Sequence, residues 1–390
     1  MNINWLKSGN FNTSVSQVKS NEQGKQKGSL TKQTLLKTAI SMGIVIIAST
    51  GLGYFQVISR VTEQSLLQLE QYVKLRAQRE RAIFTLAEDN HVVLKQALLD
   101  KLKALGDRDP QAEFNRLFVT YKDGSLRNRP EKFELEKTPG VFLGKNVKID
   151  ADMRRRVLAY YDTLSAYGPA WANRFANSYT QIPENGMVMY MHEYPWALKA
   201  PSRESFRVTD DESFQITRPI NDPERKTVWT GIYYDQVAAA WMASCVTPLD
   251  VGGRHIATIG HDILIGDLRD RTLNENLKGT HNIIFRKDGR LVAHPELMEE
   301  IQKRNGQFTI QESNNSHLRK IFNLITNQPN KGVIDNSEYG EYIAVTTINE
   351  PDWYLVTVYP KYLLTQEAFA TAQLILILGL GALIIQITVV

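Results

Sequence analysis

The chain is expected to be an α+β protein with a long N-terminal helix, two antiparallel-sheet modules in tandem and a transmembrane helix on either flank. Three observations predict this. Residues 39–58 and 369–390 are free of charged side chains. Residues 59–105 contain neither Pro nor Gly. Beyond them, short runs rich in Val, Ile, Tyr and Trp alternate with Gly, Pro and Asp, the pattern of antiparallel strands.

With 390 residues and 43% hydrophobic content, the chain can supply cores for two or three domains. Its formal charge is +4, but the first 58 residues hold six Lys, no Arg and a single acid, Glu22. The remainder is near neutral, so no basic face is implied by composition, which argues against nucleic-acid binding. Cys245 is the only cysteine, so the fold has no intrachain disulfide, and the apolar neighbours in AAWMASCVTPL read as those of a buried thiol.

Taken in order, residues 1–33 form a polar tail expected to stay disordered on the cytoplasmic side. Residues 34–58 are assigned to the first membrane helix, whose uncharged core AISMGIVIIASTGLGYFQVI covers about 30 Å at helical rise. The long polar tail before it argues for an uncleaved anchor, not a signal peptide. Six lysines ahead of it place the N-terminus in the cytoplasm, and residues 59–368 outside, in the periplasm or extracellular space.

Residues 59–110 are assigned to the long helix. Its apolar stripe steps by three and four through Phe84, Ala87, His91, Leu94, Leu98, Leu102 and Leu105. His91 lies on that stripe with no second His, Cys or carboxylate on its face, so it reads as a core histidine.

Residues 111–270 make the first module, the membrane-distal one in this topology. It holds a strand at 116–121, a helix at 151–167 capped by Asp150 and stopped by Gly168, and the strands MVMYMHEYPW, VWTGIYYD, WMASCVTPL and HIATIGHDIL. A helix, ILIGDLRDRTLNENL, is expected right after Asp262. Residues 271–368 repeat the theme on a smaller scale with NIIFRKDGRLVAHP, helical LRKIFNLIT, EYIAVTTIN and WYLVTVYP. TYKDGSLRNRP at 120–130 and FRKDGRLVAHP at 285–295 share five identities at an offset of 165, which suggests related modules. Residues 369–390 form the second span; because the chain stops within it, a longer polypeptide with a cytoplasmic output is expected.

No catalytic motif stands out in residues 1–390: there is no Gly-rich phosphate loop, no Gly-x-Ser-x-Gly and no His-Glu-x-x-His. His255 and His261 would sit about 20 Å apart on one strand, too far to share an ion. Neither a metal nor a cofactor is expected.

The order of helix, two modules and return to the membrane resembles the double Cache sensors of bacteria, extracellular regions built of PAS-like modules. The likeness rests on VWTGIYYD, WMASCVTPL, TIGHDI and FRKDGRLVAHP and covers about residues 59–368. It implies a transmembrane receptor that binds a small solute in its distal module. The output would be a histidine kinase or, alternatively, a diguanylate cyclase or chemotaxis domain. Members that bind amino acids use Arg-x-Trp-Tyr, Tyr-x-Asp and a later Asp. Tyr233 and Asp235 match the second element and Asp262 the third, but the first is missing, with FQITRPINDPERKTVW in its place. A cationic or neutral ligand therefore suits the site better than an amino acid.

The candidate ligand-binding residues are Trp229, Tyr233, Asp235 and Asp262. Each has a plainer reading as well: Trp229 as core, Asp235 as a turn residue, Asp262 as a helix N-cap. The expected partners are a small amine, amino acid or other solute, membrane lipid, and a second copy of the chain in a homodimer. Gly51, Gly53, Gly379 and Gly381 would allow close approach within the membrane. A membrane-tethered enzyme or carrier is the alternative from another class.

Overall fold

Helix α1, Glu22–Leu105, opens the computed structural model, which describes residues 22–389 except 202–204, 236, 237 and 275. Residues 22–33, expected to lack structure, are its first turns, while residues 1–21 of the expected tail lie outside those described. The chain divides into two compact units. In one, the part of α1 up to Ser65 joins Leu364–Val390; the other is Leu66–Leu363. Two helices are long and apolar enough to cross a membrane. One is α1; the other is the last element, Lys361–Val389.

The apolar stripe of α1 is buried as its spacing predicts, with Phe84, Ala87, His91, Leu94 and Leu98 at most 1% exposed. Next come α2 (Gln111–Leu117), β1 (Phe118–Thr120), β2 (Leu126–Asn128) and β3 (Gly140–Leu143). Helix α3, Ala151–Trp171, begins where expected: Asp150 accepts the Met153 N–H at 3.0 Å. It does not stop at Gly168. The helix runs on through that glycine to Trp171, and the Tyr190 ring lies 2.4 Å from where its Cβ would be, so the residue serves close approach and not termination.

The first module continues with β4 (Asn177–Ile182), β5 (Gly186–Tyr190), α4 (Trp196–Lys199), α5 (Glu212–Gln215), β6 (Val228–Trp229) and β7 (Tyr233–Asp235). Two long strands, β8 (Ala240–Val251) and β9 (Arg254–Leu264), lead into α6 (Gly266–Asn274). Its sheet runs β1-β2-β3-β5-β4-β9-β8-β6, with β7 also on β8, nine antiparallel strands among the described residues. The second module holds β10 (His281–Arg286), β11 (Leu291–Ala293), α7 (Met298–Lys303), α8 (Ser316–Asn327), β12 (Val333–Asn336), β13 (Glu341–Ile348) and β14 (Trp353–Pro360). Its sheet order is β11-β10-β14-β13-β12, and α9 (Lys361–Val389) follows.

The two Lys-Asp-Gly hairpins are built alike. Gly124 and Gly289 take φ of +80° and +88°, and Asp123 and Asp288 each accept the backbone N–H two residues on, from Ser125 and Arg290. They do not occupy matching places, however. By strand order the counterpart of β10–β11, beside the module's last strand, is β4–β5 next to β9, whereas β1–β2 lies at the far edge. The shared residues thus reflect one turn chemistry used twice.

Candidate functional site

Three neighbouring strands of the larger sheet carry one polar row. Asn177 on β4 pairs with Asp262 on β9, which pairs with Ser244 on β8. Directly opposed residues point to the same face of a sheet, so the three side chains meet. The Asp262 carboxylate accepts from Ser244 Oγ at 2.6 Å and Asn177 Nδ2 at 2.7 Å. Since the Ser244 proton is committed to Asp262, the Tyr233 hydroxyl, 2.9 Å away, is the donor to Ser244. Asp262 is therefore no N-cap: β9 runs on to Leu264 and the helix starts at Gly266.

Asp262, at the centre of this row, lines a cavity of about 500 Å³. Tyr233, Asp235 and Asp262 all line it, together with Tyr179, Trp196 and Phe206 as an aromatic wall. A further acidic run, Asp210, Asp211 and Glu212, faces it from the segment leading into α5. Gln181 on β4 fixes that segment, donating to the Val208 carbonyl at 3.2 Å and to Ser213 Oγ at 3.1 Å. Asp211 precedes α5, but its side chain makes no capping bond, which leaves the carboxyl for the cavity. Asp235 also steadies its own turn by accepting the Ala238 N–H at 2.8 Å.

Trp229 does not join them. It pairs with Cys245, whereas Tyr233 pairs with Met242, so the ladder slips by one residue between β6 and β7. A slip of one residue turns a side chain to the opposite face. The Trp229 ring meets Phe84 edge-on at 5.2 Å, and its indole N–H donates to Glu88 at 2.8 Å, on the α1 side.

Five carboxylates line the cavity, and no Lys, Arg or His does so among the described residues. Burial, and then the like charge of Asp235, push the Asp262 carboxyl up to about 6 against the pull of its hydrogen bonds. Crowding by protein raises Asp211 to about 7, with Asp262, Asp235 and Asp210 adding to it. Asp211 is nevertheless exposed as well as part of the cavity lining, so water still reaches the group. Burial also raises Tyr179 and Tyr233, which stay neutral donors. The arrangement can accept positive charge, through the carboxylates and the aromatic faces together.

A larger hollow, about 780 Å³, lies between α1, α6 and the ends of β8 and β9. Its buried acid, Glu80, is already paired with Arg271 at 2.5 Å and Arg79 at 2.9 Å, so it offers no uncompensated charge. No group of three or more His, Cys, Asp or Glu among the described residues is arranged to hold a metal ion. His255 and His261 stay apart, the first stacked on Phe214 and the second on Phe175.

Sequence reasoning missed the acidic run at 210–212, because consecutive charges ordinarily mark a solvated turn. It also missed Asn177 and Ser244, which reach Asp262 only through pairing of distant strands.

No protein-family profile and no curated protein matches the chain. Several solved structures do. The ligand-binding domain of Mlp24 with asparagine is 14% identical, with 82% of this chain and 99% of that one covered at a TM-score of 0.42. The ligand-binding domain of the Pseudomonas fluorescens chemoreceptor CtaA with L-isoleucine is 14% identical, covering 52% and 74% at 0.34. The extracellular domain of mmHK1S-Z3, a candidate histidine kinase, is 14% identical, covering 80% and 98% at 0.40.

Proposed function

We propose that the chain is the ligand-sensing part of a bacterial transmembrane receptor and that its ligand is a small cationic amine held in the Asp262 cavity. One observation carries the reading: five carboxylates surround an aromatic-walled cavity whose described lining holds no basic side chain. Glu212 is paired with Arg290 at 3.3 Å, but an anionic ligand would still meet repulsion from the carboxylates lining the cavity, whereas an ammonium group relieves it. An amino acid would bring a carboxylate for which no guanidinium is provided. Binding would shift the population of two arrangements of the module, and the response would pass through α1 to a cytoplasmic output. A histidine kinase is the proposed output. A cyclase or chemotaxis domain would use the same input.

Thermal unfolding of the full chain in detergent tests the ligand class. Amines, amino acids, purines and carboxylates would be added at equal concentration. At a hundredfold excess over Kd, an amine is expected to raise Tm by about 5 °C. A shift produced by dicarboxylates alone would overturn the reading, as would an amine-induced shift that survives in both Asp235→Ala and Asp262→Asn.

A further inference from the structure

The cavity is not closed by the larger module alone. Asn305 and Gln307, which line it, belong to the smaller module and follow α7. The end of that helix explains how they arrive. Asn305 (φ +50°) bonds back from its N–H to the Gln302 carbonyl at 3.0 Å, and Gly306 (φ +76°) to Ile301 at 2.9 Å, a left-handed cap that turns the chain sharply. Gly306 then rests against the Ile232 carbonyl, 1.9 Å from where a Cβ would stand, so the loop meets the approach to β7 with no room for a side chain.

Both carboxamides have their orientation dictated by protein donors. The Tyr234 backbone N–H donates to Asn305 Oδ1 at 2.9 Å. Arg290 Nη1 donates to Gln307 Oε1 at 3.0 Å and also reaches Glu212 Oε1 at 3.3 Å. Glu212 is in turn fixed by the Gly231 N–H at 3.2 Å. Each amide oxygen keeps a second lone pair, but with both oxygens turned toward protein donors, the group that Asn305 and Gln307 bring to the cavity as a donor is the amide NH₂. Every acidic group lining the cavity comes from the larger module and accepts; these two residues bring donors from the smaller one.

We infer that Asn305 and Gln307 are specificity-determining residues of this cavity, and that its ligand is an amine carrying a neutral hydrogen-bond acceptor, such as a hydroxyl or amide carbonyl, on the end away from the ammonium. The inference rests on the amine reading above and refines it. Asn305 and Gln307 are exposed in the open cavity, so it is a ligand that covers these donors without matching them that loses about tenfold in affinity, which is how such a site would reject a plain alkylamine.

Calorimetric titration of the full chain in lipid nanodiscs tests this with matched probes of two, four and six carbons. Each n-alkylamine is compared with the amino alcohol of the same length. For at least one length the wild-type chain is expected to bind the amino alcohol about tenfold more tightly. Asn305→Gly, which keeps the left-handed backbone, and Gln307→Ala are each expected to reduce that ratio severalfold, the alkylamine gaining where the amino alcohol loses its bond. Equal binding of both members at all lengths, or a ratio untouched in both variants, overturns the inference and leaves the amine reading standing. Failure of every probe to bind overturns the amine reading itself, and this refinement with it.

Discussion

The imidazole of His91 on α1 stacks at a tilt on that of His261 on β9, ring centroids 4.9 Å apart. His261 also lies on Phe175 at 4.5 Å, and its Nδ1 meets the Asn177 carbonyl at 3.3 Å. The next residue along β9 is Asp262, whose carboxylate faces the cavity on the other side of the sheet. One strand thus links the candidate site to the long helix through consecutive side chains.

Burial holds His261 down to about 4, and His91 well below its usual range, with the nearby His261 as a second cause. The Nε2 of each is buried without a partner, so an added proton would have no acceptor. A histidine depressed in the fold but ordinary when unfolded contributes stability that is intact above about 6.5 and lost as pH falls from there toward 4. For His261 the loss amounts to about 3 kcal/mol at the low end. Asp262 and Asp211, being raised, contribute with the opposite sign. His261→Phe is therefore expected to lose less stability than wild type between pH 7 and 5, read from denaturant midpoints at each pH. Parallel pH curves would contradict this.

Ligand affinity should follow the carboxylates. Free Asp262 and Asp211 lose their protons around pH 6 and 7, and a bound cation favours the charged forms. Amine binding is expected to strengthen as pH rises from 5.5 to 7.5 and to level off above that. Asp262→Asn, nearly the same shape, should weaken it by about tenfold or more and flatten the profile. Calorimetry at four pH values would decide.

Trp229→Phe offers the contrasting case. It removes the bond to Glu88 but leaves the cavity lining intact, so stability should fall by about 1 kcal/mol with amine affinity unchanged. An altered Kd would place Trp229 back in the site.

Membrane orientation can be read with single cysteines at Lys122 or Lys287. Cys245 is fully buried and its thiol is pushed well up by burial, so it should stay silent toward maleimides. Labelling of either engineered cysteine by an impermeant reagent in intact spheroplasts is expected. Protection of both until lysis would reverse the proposed topology.

Local patterns were the legible part. The three-and-four spacing from Phe84 to Leu98 specified which face of α1 is buried, and Asp150 marked where α3 begins. Tyr233, Asp235 and Asp262, singled out from the sequence, line one cavity. What escaped depends on pairing between distant segments. The one-residue slip that turns Trp229 away exists only in the register against β8, and the partners of Asp262 come from residues 85 positions before and 18 before it. Likewise the hairpin repeat pointed correctly to a common turn, while its place in each sheet was set by strand order, which no local motif records.

Gly306→Ala would put a methyl group against the Ile232 carbonyl at a backbone angle that disfavours any side chain. A loss of about 2–4 kcal/mol is expected, read from the denaturant midpoint. The same crowding limits what recombination can do. A hybrid chain that takes one of the two sheets from another protein would have to inherit Gly306 and the chain around Ile232 as a matched set, or its halves would be held ajar where they should touch.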